Sequence, residues 1–287
     1  MHIKKAVITA AGFGTRFLPI TKSIEKEMLP VLNKPVIDYL VDDCIVGGIT
    51  DFIIVVNKPS TQIEEYYSNK PAITKNLIAA GKSDIAADLH QLHTKARFTF
   101  VIQQPEVGYG TAVPLKVAQS HLENEDAFLV LMGDDFLYNG EQFSETGLLI
   151  ERFRTAHSTN NAQGLVTCIE RPDSELSKYG IAKIHQEKGL PYLTTLVEKP
   201  APGTAPSNLA NISKYIFTPK VFEKLPEQQP NPQSGEYYIT DTATMLAASH
   251  PVVVYVPESE YLDCGTPESW LKANNTVAKK QAQALKN

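Results

Sequence analysis

The fold of this chain is decided by one stretch, Lys5-Ala6-Val7-Ile8-Thr9-Ala10-Ala11-Gly12-Phe13-Gly14-Thr15-Arg16. Its apolar, β-branched beginning predicts a buried strand, and the glycines after it predict a turn. An amphipathic pattern over residues 36–46 and a second apolar run over residues 52–56 follow. This order of strand, helix and strand is typical of a parallel sheet covered by helices. The glycine turn then lies at the carboxyl end of the first strand, where open α/β sheets bind ligands.

Apolar runs of strand length recur along the rest of the chain. They lie at residues 98–103, 128–132, 164–169, 179–185, 193–197, 209–217 and 252–256. A helical pattern over 111–121 separates the first two, little helix separates the later ones, and a last helical pattern covers 267–280. The alternation predicts an α/β fold: a Rossmann-like, doubly wound mixed sheet flanked by helices, with added β structure in the C-terminal half. Since no Gly/Ser/Pro linker divides the chain, we predict a single domain over residues 1–287.

Composition and charge exclude several classes of partner. The chain has 287 residues, 43% of them hydrophobic, and 27 Lys+Arg against 32 Asp+Glu give a formal net charge of −5. No basic excess is available to neutralise a nucleic acid or an anionic membrane, so we predict neither partner. No apolar run approaches the roughly 20 residues that cross a bilayer. The three cysteines lie far apart in the sequence, which indicates neither disulfides nor a thiolate metal site and favours a reducing cytoplasm.

The glycine turn lacks what two common phosphate-binding motifs require. A dinucleotide-binding fingerprint needs a third glycine where this chain has Phe17, which argues against a nicotinamide-dependent oxidoreductase. The Gly-x-x-x-x-Gly-Lys-[Ser/Thr] pattern of a P-loop does not occur either. The turn is instead followed by Arg16, Lys22 and Lys26. Three cations beside a glycine turn suit a polyphosphate, because small residues let backbone N–H groups approach phosphate oxygens.

These residues carry a resemblance to a known family. The sequence Gly12-x-Gly14-Thr15-Arg16-x-Leu18-Pro19, followed by Lys26-Glu27-Met28-Leu29-Pro30, resembles the signature of sugar-1-phosphate nucleotidyltransferases, in particular the bacterial uridylyltransferase branch. Later stretches agree in order: Gly133-Asp134, Tyr179-Gly180, Glu198-Lys199-Pro200, residues 205–210, Gly235-Glu236, Thr240-Asp241 and Asp263-Cys264-Gly265. The resemblance covers nearly the whole chain, and the ordered set is far more specific than a glycine turn alone.

The resemblance implies four groups of site residues. Those expected to bind the nucleotide are Ala11, Gly12, Gly14, Thr15, Gln103 and Gly108. Those expected to bind the sugar phosphate are Gly180, Glu198, Lys199 and Asn208. The catalytic cations are Arg16, Lys26 and Lys199, and Asp134 and Asp263 are expected to hold Mg²⁺. The nucleotide-binding residues fall mostly in the N-terminal half of the chain, and the sugar-binding residues fall in the C-terminal half.

The residue types suit these roles. Asp134 follows the strand at 128–132 at its carboxyl end, and Mg²⁺ prefers carboxylate oxygens together with substrate phosphates. The Gln103 amide offers the donor and the acceptor that a uracil edge requires. An ionised Glu198 would accept short hydrogen bonds from sugar hydroxyls, and Lys199 would meet the phosphate of the sugar.

The resemblance implies the reaction of UTP with glucose 1-phosphate to give UDP-glucose and pyrophosphate, in a homo-oligomer. A thymidylyltransferase that uses dTTP would share nearly all these residues, but residues 68–96, which predict one or two helices outside the sheet, resemble the uridylyltransferase branch. A non-catalytic nucleotide-sugar sensor would be expected to lack a metal ligand or a phosphate cation, and all are present. The chain departs from the family at Glu25, commonly proline, and at Val107, commonly lysine, and both changes oppose or remove positive charge near the phosphates.

Overall fold

The protein is represented by a computed structural model that describes residues 1–59, 61–68, 71–141 and 143–284. The strands are, in chain order, β1 (Lys5–Ala10), β2 (Pro30–Val31), β3 (Lys34–Pro35), β4 (Asp51–Val56), β5 (Arg97–Ile102), β6 (Phe128–Met132), β7 (Asp135–Tyr138), β8 (Gly164–Glu170), β9 (Gly180–Glu187), β10 (Leu190–Glu198), β11 (Leu209–Phe217), β12 (Val252–Tyr255) and β13 (Glu260–Asp263). The helices are α1 (Val36–Val46), α2 (Gln62–Tyr67), α3 (Pro71–Ala79), α4 (Ser83–Thr94), α5 (Val113–Val117), α6 (Glu145–Asn160), α7 (Ile239–Ala247) and α8 (Pro267–Ala284).

A nine-stranded sheet organises the described residues, in the order β5-β4-β1-β6-β11-β8-β12-β10-β9. The strands β5, β4, β1 and β6 are parallel, and β11 pairs antiparallel with both β6 and β8. The strand β11 from the C-terminal half therefore lies beside the last parallel strand of the N-terminal half. The prediction of an α/β fold with a mixed, doubly wound sheet is confirmed.

The sheet is apolar on both faces because its central strands separate two cores. Ile8 of β1 belongs to the core that includes Leu40 of α1. Its neighbour Val7 belongs to the opposite core, with Leu115 of α5 and Leu246 of α7. Successive residues of a strand point to opposite faces, so a strand covered on both faces has the continuous apolar sequence from which β1 was predicted.

Several elements follow the sequence pattern closely and one does not. Helix α1 and the strands β6 and β11 have the bounds that the pattern predicts, and the segment 68–96 contains two helices, α3 and α4, outside the sheet. The helix expected over 111–121 is broken into the short α5 and a 3-10 turn at Gln119–His121. The helix begins only at Val113, because the residue before it, Ala112, donates its N–H to the carbonyl of Tyr237 in another segment.

A small sheet that the sequence did not predict lies beside the carboxyl end of β6. Strands β7 and β13 pair antiparallel and bring Asp135 opposite Asp263. The segment before β13 is held by the buried carboxylate of Glu145, which accepts hydrogen bonds from the Tyr255 hydroxyl at 2.5 Å and from the Ser259 N–H at 2.9 Å. Within the residues that the structure describes, no helix is both long and apolar enough to cross a membrane.

Candidate active site

A cleft of about 470 Å³ opens at the carboxyl ends of the first parallel strands. The residues that line it and were predicted from the sequence are Ala11, Gly12, Arg16, Lys26, Gln103, Asp134, Gly180, Glu198, Lys199 and Asp263. The structure thus brings together residues separated by up to 252 positions in the chain, here Ala11 and Asp263. Among the predicted residues, Gly14, Thr15, Gly108 and Asn208 do not line the cleft.

The glycine turn requires residues without a side chain at Gly12 and Gly14. Gly14 has a φ of 62°, in the left-handed region that glycine adopts at little cost, and its carbonyl accepts from the Thr21 hydroxyl at 2.8 Å. A Cβ on Gly12 would lie 3.2 Å from Cε of Lys26. The two glycines therefore let the turn close against the side chain of Lys26 and keep its backbone exposed to the cleft.

The Lys26 side chain is 17% exposed and lies between two carboxylates. Its Nζ donates to Oδ2 of Asp134 at 2.5 Å and lies 3.4 Å from Oε1 of Glu27. Burial acts to lower the pKa of Lys26, but the charges of Asp134 and Glu27 outweigh it and raise the pKa. For Asp134, burial acts to raise the pKa, and the charge of Lys26 lowers it below the ordinary value. Burial raises the pKa of Glu27 to about 7. The structure therefore favours a charged Lys26 and an ionised Asp134.

Asp134 and Asp263 converge on Gly265 with Arg16. A Cβ on Gly265 would lie 3.0 Å from Oδ1 of Asp263, 3.1 Å from Nη1 of Arg16 and 3.6 Å from Oδ2 of Asp134. The pKa of Asp263 is raised by burial and by the charge of Asp134, while the Gly265 N–H, 2.7 Å from Oδ1, acts to lower it. Two neighbouring carboxylates each make ionisation of the other less favourable, and a cation bound between them would relieve this repulsion.

The donor set fits a magnesium ion that is shared with a substrate. Among the described residues there is no group of three or more His, Cys, Asp or Glu side chains suited to hold a metal by themselves. Mg²⁺ is commonly bound through one or two carboxylates plus substrate phosphates. Asp134 and Asp263, beside the glycine turn, meet this requirement with the cations Arg16 and Lys26 next to them.

The opposite end of the cleft is formed by the end of β10 and the start of β9. Glu198 accepts from the Thr240 hydroxyl at 3.3 Å, and a Cβ on Gly180 would lie 3.1 Å from Oε2 of Glu198. Burial raises the pKa of Glu198, and the charge of Lys199 acts against this. Lys199 has a φ of 44°, and its side chain is more than half exposed, with Nζ 3.8 Å from Glu198. The Lys199 ammonium is thus accessible to an anion, while the Glu198 carboxylate is held by Thr240.

A third part of the cleft carries an unused buried acceptor. Nε2 of Gln103 donates to the carbonyl of Gly108 at 3.2 Å, so Gly108 acts here through its backbone although it does not line the cleft. The other amide atom, Oε1, is buried and makes no hydrogen bond within the described part of the chain. Because a buried polar atom without a partner is costly, this oxygen is suited to accept from a ligand N–H.

The polar residues of β11 were missed by the sequence analysis. Between Asn211 and Tyr215 the register with β8 shifts, so that four steps along β11 match two steps along β8. This bulge turns Asn211 and Ser213 into the cleft, and Ser213 has a φ of 53°. Asn208 lies before the bulge, where it is exposed and its carbonyl accepts from Arg171.

Lys214 of the same strand was also missed, and it is 2% exposed. Its Nζ makes an ion pair with Oδ1 of Asp135 and also donates to the Asp135 carbonyl at 3.3 Å. The Tyr261 hydroxyl donates to Oδ2 of Asp135 at 3.0 Å. Asp135 therefore connects the turn that contains Asp134 to β11 through Lys214 and to β13 through Tyr261. A lysine in a mainly apolar strand was the sequence signal of Lys214.

The two departures from the family pattern, Glu25 and Val107, lie outside the cleft. The Glu25 carboxylate accepts from the Ile63 N–H at 3.2 Å and lies 3.6 Å from Lys58, so its charge stabilises the start of α2. Val107 packs beside Tyr237 in a separate small pocket. Neither residue lines the cleft.

Comparison with known proteins shows the family to which the chain belongs. The nucleotidyl transferase family profile matches residues 5–280. A UTP–glucose-1-phosphate uridylyltransferase of Staphylococcus haemolyticus (strain JCSC1435) is 36% identical over 280 residues, which cover 97% of this chain and 93% of that protein. The crystal structure of an apo UDP-glucose pyrophosphorylase has a TM-score of 0.87 at 31% identity, covering 98% of this chain and 100% of that one. A UDP-glucose pyrophosphorylase in complex with UDP-glucose has a TM-score of 0.84 at 30% identity, covering 97% and 100%.

Proposed function

Because the chain belongs to the nucleotidyl transferase family, we propose that it transfers a uridylyl group from UTP to glucose 1-phosphate, giving UDP-glucose and pyrophosphate. The observation that carries this proposal is the arrangement of one cleft. The cleft contains the glycine turn with Arg16, Lys26, Asp134 and Asp263, and it also contains the carboxylate of Glu198 and the exposed lysine Lys199. The first set suits a triphosphate with its metal, and the second suits a sugar phosphate.

The reaction needs no nucleophile from the protein. An oxygen of the glucose 1-phosphate attacks the α-phosphorus of UTP, a new P–O bond forms, and the bond to the bridging oxygen breaks so that pyrophosphate leaves with its electron pair. Catalysis is then positioning together with stabilisation of charge that moves onto the leaving group. The N–H groups of Gly12 and Gly14 and the guanidinium of Arg16 would hold the triphosphate. Lys26 would neutralise the departing pyrophosphate, and Lys199 would align the attacking phosphate.

Asp134 and Asp263 would hold Mg²⁺, which when bound neutralises charge on the phosphate oxygens. Their placement beside Arg16 and the glycine turn supports this role. The salt bridge between Lys26 and Asp134 supports it as well, since it aligns the lysine and the metal carboxylate at one point of the cleft.

Recognition of the base and the sugar would come from fixed groups. The free Oε1 of Gln103 would accept the imide N–H of uracil. Glu198, held by Thr240, would accept from sugar hydroxyls, and the absence of a side chain at Gly180 leaves room beside it. The three buried cysteines are free thiols, which suits the cytoplasmic location expected from the sequence.

The proposal is tested by pyrophosphate release from a matrix of substrates. UTP, dTTP, CTP and ATP are each combined with glucose 1-phosphate, galactose 1-phosphate and N-acetylglucosamine 1-phosphate in the presence of Mg²⁺. We expect the highest kcat/KM for UTP with glucose 1-phosphate. A preference of tenfold or more for dTTP, about 1.4 kcal/mol of discrimination, would refute the uridylyl assignment in favour of a thymidylyltransferase. Binding of UTP without any release would indicate a sensor.

A further inference from the structure

Two large aromatic side chains stand exposed at the mouth of the cleft. Phe13 is 66% exposed and Tyr109 is 44% exposed. Their rings stack on each other with centroids 5.8 Å apart and planes 19° apart. The pair joins two loops that are nearly a hundred positions apart in the chain, the turn after β1 and the loop after β5.

The backbone holds both rings outside the cores. Each aromatic residue lies between two glycines, and Gly14, Gly108 and Gly110 have φ values of 62°, 97° and 121°. A side chain at Gly110 would collide with the backbone of Tyr237, whose N–H donates to the Tyr109 carbonyl at 2.9 Å. The loop is therefore fixed by its backbone, and the exposure of the Tyr109 ring is built into its conformation.

The pair belongs to two loops that contribute residues to the cleft, and one of these loops contacts the residue with the unused acceptor, Gln103. Tyr109 lines the cleft, and the residue before it, Gly108, accepts the hydrogen bond of Gln103. Phe13 lies between Gly12, which lines the cleft, and Gly14. Both rings thus belong to the loops that flank the proposed base site, and neither ring belongs to a core.

We propose that Phe13 and Tyr109 together form an apolar platform that packs against the nucleobase and ribose of the bound nucleoside triphosphate. This inference rests on the proposed function and adds a second kind of contact to it. Every base has a π-face, so stacking raises affinity without selecting among bases, whereas the Gln103 amide selects by hydrogen bonding. Burial of the two exposed rings against a ligand also removes apolar surface from water.

The test is calorimetric binding of two probes, UTP and inorganic tripolyphosphate, at a fixed Mg²⁺ concentration. The variants are Phe13→Ala and Tyr109→Ala. The matched control is Ile20→Ala, which removes another exposed apolar side chain, 46% exposed, that does not line the cleft. Thermal melting of each variant checks the fold. Since tripolyphosphate has neither base nor ribose, it reports the phosphate site alone.

We expect each aromatic variant to bind UTP roughly tenfold more weakly, within the range for loss of base–aromatic stacking. Binding of tripolyphosphate should change less than twofold, and the control should match the wild type for both probes. Unchanged UTP binding in folded variants would overturn the inference, and so would an equal loss for both probes, which would assign the rings to the shape of the phosphate turn. A wild type that binds tripolyphosphate but not UTP would instead refute the proposed function.

Discussion

Replacement of Lys214 by methionine should show how much the buried ion pair with Asp135 contributes to the stability of the protein. The Lys214 side chain is 3% exposed and that of its partner Asp135 is 8% exposed. Methionine has a similar length without the charge, so the variant leaves Asp135 buried with the Tyr261 hydroxyl as its remaining side-chain partner among the described residues. Removing one member of a buried ion pair costs about 3–5 kcal/mol, because the other charge stays uncompensated. For a chain of this size, that corresponds to a fall in melting temperature of roughly 6–10 °C.

The loss should depend on pH in a defined direction. Burial raises the pKa of Asp135 to about 6 even though Lys214 lies beside it. In the unfolded chain an aspartate ionises near pH 3.9, so the folded protein binds the extra proton between these values and stability falls as pH rises through that window. Without Lys214 the pKa of Asp135 in the folded protein rises further, so the pH range over which stability falls extends to higher pH. The variant should therefore be destabilised fully at pH 8 and much less at pH 5, where Asp135 is protonated.

The assay is thermal melting of the two proteins at pH 5 and pH 8. Lys220→Met is the matched control, because Lys220 forms an exposed pair with Glu223 at 2.7 Å and its loss should move the melting temperature little. The double variant Lys214→Met with Asp135→Asn removes the uncompensated charge and should recover at least half of the loss at pH 8. A fall of less than 2 °C at pH 8, equal losses at both pH values, or a double variant no more stable than the single one would each refute the reasoning.

Three further predictions concern catalysis. Asp134→Ala and Asp263→Ala should leave the fold intact yet lose roughly 10²-fold or more in kcat, and a folded variant within threefold of the wild type would assign that residue to structure. Lys199→Ala should chiefly raise KM for glucose 1-phosphate, by an amount equivalent to a loss of about 1.5–3 kcal/mol of binding free energy. Lys26→Ala should chiefly lower kcat, because pyrophosphate gains charge only as it leaves. Identical kinetic patterns in the two variants would contradict this division of roles. Because burial raises the pKa of Glu198, acidification should protonate it above the ordinary glutamate range and raise KM for glucose 1-phosphate, a limb that Glu198→Gln should remove. The sugar phosphate titrates equally in both proteins, so unchanged pH profiles would show that Glu198 does not bind the sugar.

The sequence predicted the elements whose hydrophobic pattern is regular. Helix α1 and strand β6 have the expected bounds because α1 has the amphipathic pattern of a helix and β6 is continuously apolar. The bulge of β11 could not be predicted, since a shift of register depends on the partner strand and leaves no periodic signal in the sequence. Asn211, Ser213 and Lys214 were therefore missed, although polar residues in an apolar strand are visible once the sheet order is known.

The candidate site was predictable where a motif lies directly on a strand end, as for Asp134 after β6. It was less predictable where long-range pairing decides the outcome. The carboxylate of Glu25 appeared from the sequence to oppose the phosphates, but it accepts from the first turn of α2. Likewise β7 and β13 are only four residues long each, and their pairing across more than a hundred positions fixes Asp263 beside Asp134.

The contact between Lys26 and Asp134 also bears on the order in which ligands assemble. In the free protein these two groups satisfy each other at 2.5 Å, so each is occupied before any ligand arrives. A metal on Asp134 alone would give up the contact with Lys26 and leave that ammonium with Glu27, 3.4 Å away, as its remaining carboxylate partner among the described residues. A triphosphate on Lys26 alone would likewise take the lysine from Asp134 and leave the carboxylate with the nearby Arg16. If both arrived together, Asp134 would hold the metal and Lys26 would hold the phosphates, so each group would gain a ligand as it lost its partner. Thermodynamic linkage then requires that each ligand raise the affinity of the other by the same factor, so the site favours the metal–nucleotide complex over either component.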